Sequence, residues 1–150
     1  MFMLLLVSCN DTPSMTPAET ALKLLALHGL LGKSPSERTD RDKKTLVSHE
    51  ELSSLFVDLE DYDEFTGELY AGVVIGALAG NQSQLKETKR KNAAEITAGS
   101  AIIYFDLVNN IWKINLEKTI PEDMKTRAKL EKQRYEAARA AGQAAAKSSP

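Results

Sequence analysis

The sequence predicts an α+β domain in which N-terminal helices pack on a C-terminal antiparallel β-meander, followed by a C-terminal helix. Helix-start signals and helical apolar spacing dominate up to residue 80, and short strand-like runs joined by turn residues follow from residue 84. Helices followed by a run of strands are typical of the α+β class. With 43% hydrophobic and 27% charged residues among 150, the composition is that of one globular domain rather than a disordered chain.

The predicted N-terminal helices begin at capping signals. Thr16-Pro17-Ala18-Glu19 combines a capping box with proline at the first helical position, so we expect a helix from about Pro17 to Leu31, ended by Gly32. Ser48-His49-Glu50-Glu51 is a second capping box and predicts a short helix. Residues 33–44 are highly polar and predict at most a marginal helix, because they offer no apolar stripe to bury.

The most apolar helical segment runs from Asp61 to Gly80, with Asp61 as its predicted cap and Glu64 three residues on. Apolar residues recur at helical spacing at Tyr62, Phe65, Leu69, Val73 and Ala77. Glycines four residues apart share one face of this helix, namely Gly72, Gly76 and Gly80. Each glycine costs about 1 kcal/mol of helix propensity relative to alanine, so we expect this face to be needed for close packing within the core.

Four strands are predicted over residues 84–90, 93–98, 101–108 and 111–119. The first of them carries Lys86, Lys89 and Arg90, which is typical of a charged edge strand that resists aggregation.

The register of the last hairpin follows from its turn. A two-residue primed turn at Asn109-Asn110 places Val108 opposite Ile111. One face then carries three apolar pairs, Leu107 with Trp112, Phe105 with Ile114, and Ile103 with Leu116. The other face carries Asp106 with Lys113, Tyr104 with Asn115, and Ile102 with Glu117. A one-residue slip would exchange the two faces, so we expect this register to be well defined.

The first nine residues form a short apolar run that ends in Cys9, the only cysteine of the sequence. Leu6-Val7-Ser8-Cys9 resembles the lipobox of bacterial lipoprotein signal peptides, in which a small residue precedes the lipidated cysteine. The resemblance implies cleavage before Cys9, acylation of its thiol and amine, and a membrane-anchored location in the bacterial cell envelope, facing the periplasm or the exterior. No basic residue precedes Leu4 and the run is short for a secretory signal, so we expect the true start to lie upstream.

A second resemblance rests on the order of elements and on the closing strand Ile111-Trp112-Lys113-Ile114-Asn115-Leu116. Together with the Thr16-Pro17-Ala18-Glu19 helix start, they resemble the NTF2-like superfamily, a cone-shaped α+β fold. The resemblance covers about Thr16 to Ile120 and implies a pocket lined by Phe105, Trp112 and Ile114. An unrelated helix-plus-meander domain is the alternative.

The chain therefore divides into four parts. Residues 1–8 are the signal-peptide remnant, and residues 9–15 form a polar, proline-containing tether that carries the lipid. Residues 16–120 form the α+β domain, and residues 121–150 form a basic, alanine-rich helical tail. That tail could touch anionic lipid headgroups or an acidic cell-wall polymer, but a solvated helix is favoured because its apolar residues are sparse.

Residues capable of acid–base chemistry lack partners at catalytic spacing. His28 has no second histidine or cysteine nearby in sequence, and we interpret it as a surface or hydrogen-bonded structural histidine. Asp106 lies on the sheet face away from the apolar pairs and opposite Lys113, which makes it a poor base. The formal candidates are Glu95, His49, Tyr70 and Asp63. No metal cluster or phosphate loop is present in the sequence, so we expect no cofactor, and the net charge of -2 gives no reason to propose nucleic acid as a partner.

These observations favour a lipid-anchored, non-catalytic binding or accessory module whose partners are membrane lipid, an envelope protein or a small apolar ligand. The first alternative is a small cone-fold enzyme of the isomerase or dehydratase kind, because such folds host several functions. The second is a structural envelope protein that forms a homodimer through Ile102, Tyr104 and Val108 on the outer sheet face.

Overall fold

The computed structural model describes residues 12–33, 35–37 and 47–148. Helices and strands follow one another as α1 (Pro17–Leu27), α2 (His49–Ser53), α3 (Glu64–Gly80), β1 (Lys86–Lys89), β2 (Ala93–Ala98), β3 (Ala101–Val108), β4 (Ile111–Ile114), α4 (Leu116–Thr119) and α5 (Glu122–Lys147). Short 3-10 turns lie at Pro35–Glu37, Leu59–Asp61 and Gln82–Gln84. Cys9 and most of the polar segment 33–44 lie outside the described residues.

The predicted α+β class and the predicted meander are confirmed. The four strands form one antiparallel sheet in the order β1-β2-β3-β4, and a C-terminal helix follows it. Helices α1 and α3 contact each other, and both contact the sheet. Their buried Leu24, Leu25, Val74 and Leu78 join one core with the buried sheet residues Ala94, Ile96, Ala98, Ile103, Phe105, Trp112 and Ile114.

The predicted turn and inner register of the β3–β4 hairpin are confirmed. Asn109 and Asn110 both have positive φ, 50° and 63°, as a primed two-residue turn requires. Paired residues from the turn outward are Val108 with Ile111, Leu107 with Trp112, Asp106 with Lys113, and Phe105 with Ile114. Asp106 and Lys113 lie opposite each other, as predicted. The Asp106 carboxylate nevertheless forms its ion pair with Lys118, at 2.8 Å.

The fourth strand was predicted to reach residue 119, and this is wrong: β4 ends at Ile114 and the chain turns into α4. The Asn115 side chain accepts a hydrogen bond from the Lys118 amide, and the Asp58 carboxylate accepts from the Leu116 and Glu117 amides at 2.9 and 2.8 Å. These bonds cap a helical turn at the position where a strand was expected. The pairs of Ile103 with Leu116 and of Ile102 with Glu117 therefore do not form.

The long helix α3 begins later and buries a different face than predicted. Its cap is Asp63, which accepts from the Thr66 amide at 3.2 Å, rather than Asp61. The buried positions are Gly67, Tyr70, Ala71, Val74, Ile75, Leu78 and Ala79. The apolar positions predicted to face the core lie beside this buried face, and one of them, Leu69, is 40% exposed. Because the segment is apolar on nearly every side, residue type alone does not identify its buried face.

The glycine face of α3 was predicted to pack closely, and this is also wrong. A Cβ atom added at Gly72, Gly76 or Gly80 would meet no atom within 4 Å. The three glycines lie on an exposed face of the helix.

Helix α1 ends earlier than predicted. Its last residue is Leu27, His28 caps it, and the chain turns at Gly29, which has a φ of 67°. Gly29 thus takes the role that was assigned to Gly32, and Leu30 returns to the core. The His28 ring nitrogen Nδ1 lies 2.8 Å from the Leu24 carbonyl oxygen, a contact within the same helix end.

Two glycine substitutions are expected to act in opposite directions. Gly76→Ala should raise the free energy of unfolding by about 0.5–1 kcal/mol, because alanine restricts the unfolded chain and the site is open. Gly99→Ala should lower it by about 1–2 kcal/mol or more, since Gly99 has a φ of 63° and its added Cβ would lie 2.7 Å from Asn81 Oδ1. Urea denaturation of both variants tests this. A destabilised Gly76→Ala protein would contradict the exposed glycine face.

Candidate functional site

The N-terminal segment joins the domain at one end of the sheet. Thr12 is the first described residue, and its carbonyl accepts a hydrogen bond from the Asn110 side chain at 3.3 Å. Helix α1 begins at the same end, because Thr20 Oγ1 donates to the carbonyl of Trp112 at 3.1 Å. The Thr16–Glu19 capping box is present as predicted. Cys9 itself lies outside the described residues, three positions before Thr12.

The three residues expected to line a pocket lie in the packed core. Phe105, Trp112 and Ile114 are 1%, 2% and 0% exposed. Phe105 also borders a cleft of about 50 Å³ near Tyr104 and Lys118. That volume is far below the roughly 300–1,000 Å³ of typical ligand pockets. The structure therefore gives these side chains a packing environment rather than a ligand-sized cavity.

A larger groove, of about 640 Å³, lies between α2 and the start of α3. It is lined by Val47, His49, Leu52, Leu59, Glu60, Tyr62, Asp63, Glu64, Gly67 and Glu68. A neighbouring groove of about 630 Å³ shares His49, Leu59 and Glu60 and reaches Lys113. Both grooves are open and rich in carboxylates. Among the described residues, no group of three or more histidine, cysteine, aspartate or glutamate side chains is arranged to hold a metal ion.

His49 contacts a hydroxyl but lacks the rest of a catalytic set. Its Nε2 atom lies 3.3 Å from Ser53 Oγ, one turn along the exposed helix α2. Nucleophilic catalysis also needs a group that orients the base and donors for the developing oxyanion. Within the described ranges, no carboxylate hydrogen-bonds to the His49 ring. The contact is that of two exposed polar side chains on one helix.

The remaining acid–base candidates are held in structural interactions or lie apart from one another. Burial raises the pKa of Tyr70, whose ring packs edge-on to Tyr62 with centroids 5.1 Å apart. Burial by itself would raise the pKa of Asp106, but hydrogen bonds from Lys118 and Asn115 lower this pKa and keep the carboxylate ionised. Glu95 is half-buried on β2 and lies opposite Thr88 and Tyr104.

A hydrogen-bonded cluster that sequence reasoning missed joins Tyr62, Glu117 and Lys125. Tyr62 donates to the Glu117 carboxylate at 2.9 Å, and Lys125 Nζ lies 2.6 Å from the same carboxylate and 2.8 Å from that of Glu122. Burial and the hydrogen bond to Glu117 raise the pKa of Tyr62 well above its usual range. The two carboxylates likewise raise the pKa of Lys125. Tyr62 therefore stays protonated and Lys125 stays charged, so the cluster fastens α5 to the domain rather than activating a reactive group.

No local signal could have revealed this cluster, because Tyr62 and Glu117 are 55 positions apart in sequence. Two further contacts dock helix α5 and also join residues far apart in sequence. Phe65 stacks on Tyr135 with ring centroids 5.3 Å apart, and Lys132 pairs with Asp63 at 3.1 Å.

No protein-family model matches the chain, and neither the curated proteins nor the solved structures yield a match. None of the described helices is long and apolar enough to cross a membrane.

Acid sensitivity is expected at Asp63. A hydrogen bond from Thr66, aided by Lys132, lowers its pKa from 3.8 to about 2 in the folded state. The folded form thus binds fewer protons than the unfolded form in this range, so the contribution of Asp63 to stability is present above pH 3.8 and is lost as the pH falls toward 2. Asp63→Asn should lose less stability than wild type over that interval.

The matched control for this measurement is Glu64→Gln, which changes a neighbouring carboxylate that makes no side-chain hydrogen bond to any described residue. Thermal unfolding of the three proteins at a series of acidic pH values provides the comparison. If Asp63→Asn and wild type lose stability in parallel, the assigned role of Asp63 is incorrect.

Proposed function

We propose that the protein is a lipid-anchored protein of the bacterial cell envelope whose domain is a non-catalytic binding or accessory module. The observation that carries the proposal is the position of Cys9. It is the sole cysteine in the sequence, it follows Leu6-Val7-Ser8, and a polar tether separates it from the helix start at Thr16. Two or three acyl chains on this residue would give stable membrane attachment, whereas a single chain gives only marginal binding.

We further propose that the domain is of the NTF2-like type. Support comes from the capped first helix, from the long helix α3 that precedes the sheet, and from the meander that closes on Trp112-Lys113-Ile114. Helix and sheet order alone does not specify an activity, since one fold hosts many functions. The functional argument therefore rests on the residues of the site.

A non-catalytic role is supported by the state of the candidate residues. Phe105, Trp112 and Ile114 are buried in the core, so the proposed module binds through its surface rather than by enclosing a ligand. Asp106 and Asp63 are ion-paired with lysines. Catalysis requires a constellation of groups with matched geometry, and these carboxylates are instead used to fasten helices.

Replacement of Cys9 tests the proposal in cells. We expect the wild-type protein, expressed in a bacterium from its native gene, to enter the detergent phase on phase partitioning. Cys9→Ser should remain in the aqueous phase or accumulate as an unprocessed precursor, because the serine hydroxyl does not replace the thiol as lipid acceptor. Ser8→Ala is the matched control, since it keeps a small residue before Cys9. Equal partitioning of wild type and Cys9→Ser would refute anchoring.

A further inference from the structure

A cluster of positive charge lies at the end of the sheet where the N-terminal tether enters. In an antiparallel meander, the β1–β2 and β3–β4 turns lie at the same end of the sheet, and the β2–β3 turn lies at the other. The Asn92 carbonyl accepts from the Leu107 amide at 3.0 Å, which places the β1–β2 turn beside the last residues of β3. Asn110, in the β3–β4 turn, holds Thr12. We call this region the tether end.

Three consecutive basic residues lie at the end of β1 and in the turn that follows it, namely Lys89, Arg90 and Lys91. All three are exposed, and their side chains make no hydrogen bond or ion pair with any residue that the structure describes. Two carboxylates close to this turn make other contacts: Glu87 accepts from the Ala18 amide at 2.9 Å, and Asp106 pairs with Lys118 at 2.8 Å. Arg90 shares a small cleft with Glu95 and Asp106, whereas Lys89 and Lys91 do not line it. The positive charge of Lys89 and Lys91 is therefore accessible to an external anion.

Chain length places the proposed lipid close to this turn. Cys9 lies three residues before Thr12, and a fully extended chain spans at most about 3.3–3.6 Å per residue. Three residues therefore span at most roughly 10 Å. A membrane that holds the lipid would then face the end of the sheet that carries the β1–β2 turn, because Thr12 is held at that end.

The basic C-terminal helix has a different placement. Helix α5 follows α4 and packs on the start of α3, where Lys132 pairs with Asp63 and Tyr135 stacks on Phe65. Several of its basic residues are neutralised, because Lys125, Lys132 and Arg134 form ion pairs with carboxylates. The β1–β2 turn is the basic segment that the sheet topology places at the tether end.

We propose that Lys89, Arg90 and Lys91 bind anionic phospholipid headgroups of the membrane that holds Cys9, so that the tether end faces the bilayer. This inference rests on the proposed lipid anchor and adds a second membrane contact to it. Charge complementarity favours the interaction, and basic residues near an anionic surface each add measurably to membrane affinity.

Vesicle binding tests this proposal independently of acylation in cells. The full chain is coupled through Cys9, its only thiol, to a thiol-reactive lipid with a single acyl chain, which by itself binds membranes weakly and reversibly. Partitioning is measured on vesicles of phosphatidylcholine, and of phosphatidylcholine mixed with anionic phosphatidylglycerol. The turn variant is Lys89→Gln with Arg90→Gln and Lys91→Gln. Its matched control removes the same charge from exposed, unpaired residues of α5 through Arg127→Gln, Lys129→Gln and Arg139→Gln.

We expect phosphatidylglycerol to raise the partition constant of the wild-type protein by up to roughly a hundredfold at low salt, and added salt to reduce this gain. The turn variant should lose most of the gain, and the α5 control should keep most of it. Absence of a gain in wild type, or equal losses in the two variants, would overturn the proposal. The proposal would also be overturned if the turn variant bound vesicles like wild type but no longer sedimented with purified anionic cell-wall polymer.

Failure of the anchor and failure of this contact are distinguishable. Because the lipid is attached chemically, the vesicle result does not depend on whether cells acylate Cys9. An unmodified Cys9 in cells would refute the proposed function, whereas a turn variant that binds vesicles like wild type would refute the headgroup contact alone. Circular dichroism of each variant checks that the fold is retained.

Discussion

Phe105→Ala is expected to lower the free energy of unfolding by about 3–5 kcal/mol, the usual cost of truncating a fully buried aromatic side chain. Phe105 is 1% exposed and lies between two buried cross-strand neighbours, Ala94 on β2 and Ile114 on β4. Truncation would leave a cavity in the buried core that the surrounding side chains could fill only in part. Equilibrium unfolding in urea measures the loss.

Ile102→Ala is the matched control, because Ile102 lies on the same strand but on the opposite face and is 42% exposed. Its truncation should change stability by less than about 1 kcal/mol. A Phe105→Ala variant that unfolds as readily as Ile102→Ala would contradict the packed core and would favour the ligand pocket implied by the cone-fold resemblance.

Asp58→Ala should lower the free energy of unfolding by about 2–3 kcal/mol, since hydrogen bonds to a charged group contribute about 1.5–3 kcal/mol and unpaired buried donors are costly. Asp58 is 9% exposed and accepts from the amides of Leu116 and Glu117. Without its carboxylate, the first turn of α4 loses its cap from outside the helix. The adjacent cluster of Glu117 with Tyr62 and Lys125 would lose its support as well.

Asp61→Ala is the comparison for this substitution, because Asp61 belongs to the same acidic segment but is exposed. We expect a change of less than about 0.5 kcal/mol for it. Amide hydrogen exchange provides the local readout: the Leu116 and Glu117 amides, which donate to Asp58, should lose protection in Asp58→Ala more than those of β2. Unchanged protection of α4 would show that Asp58 does not hold this turn.

Local chemistry made part of this fold predictable. The Thr16–Glu19 capping box, the asparagine turn at 109–110 and the pairing of Phe105 with Ile114 all depend on residues that are close in sequence or symmetric about a turn. Their geometry follows from backbone preferences and from the alternation of side chains along a strand.

Features set by distant residues were not predictable in the same way. Strand β4 ends at Ile114 because Asp58, far away in sequence, caps the next turn. Although Asn115 could have signalled a helix start, its apolar neighbours also fit a strand. The apolar character of α3 concealed which face is buried, and only the packed structure shows that Gly72 and Gly76 are exposed.

The candidate site shows the same division. Lipidation of Cys9 is a prediction from a local motif, whereas the burial of Phe105 and Trp112 depends on how the helices cover the sheet. Burial of both residues replaces the expected pocket with a packed core, since α1 and α3 occupy the inner face of the sheet. The docking of α5 through Lys125 and Tyr135 likewise required the assembled structure.

The measurement that tests the central claim most directly is the intact mass of the protein purified from bacterial cells after expression from its native gene. Lipid anchoring predicts a chain that begins at Cys9 and carries the added mass of a diacylglyceryl group, with or without a further acyl chain on the amine. A mass that retains Met1 and an unmodified thiol would contradict the anchor and the envelope location inferred from it.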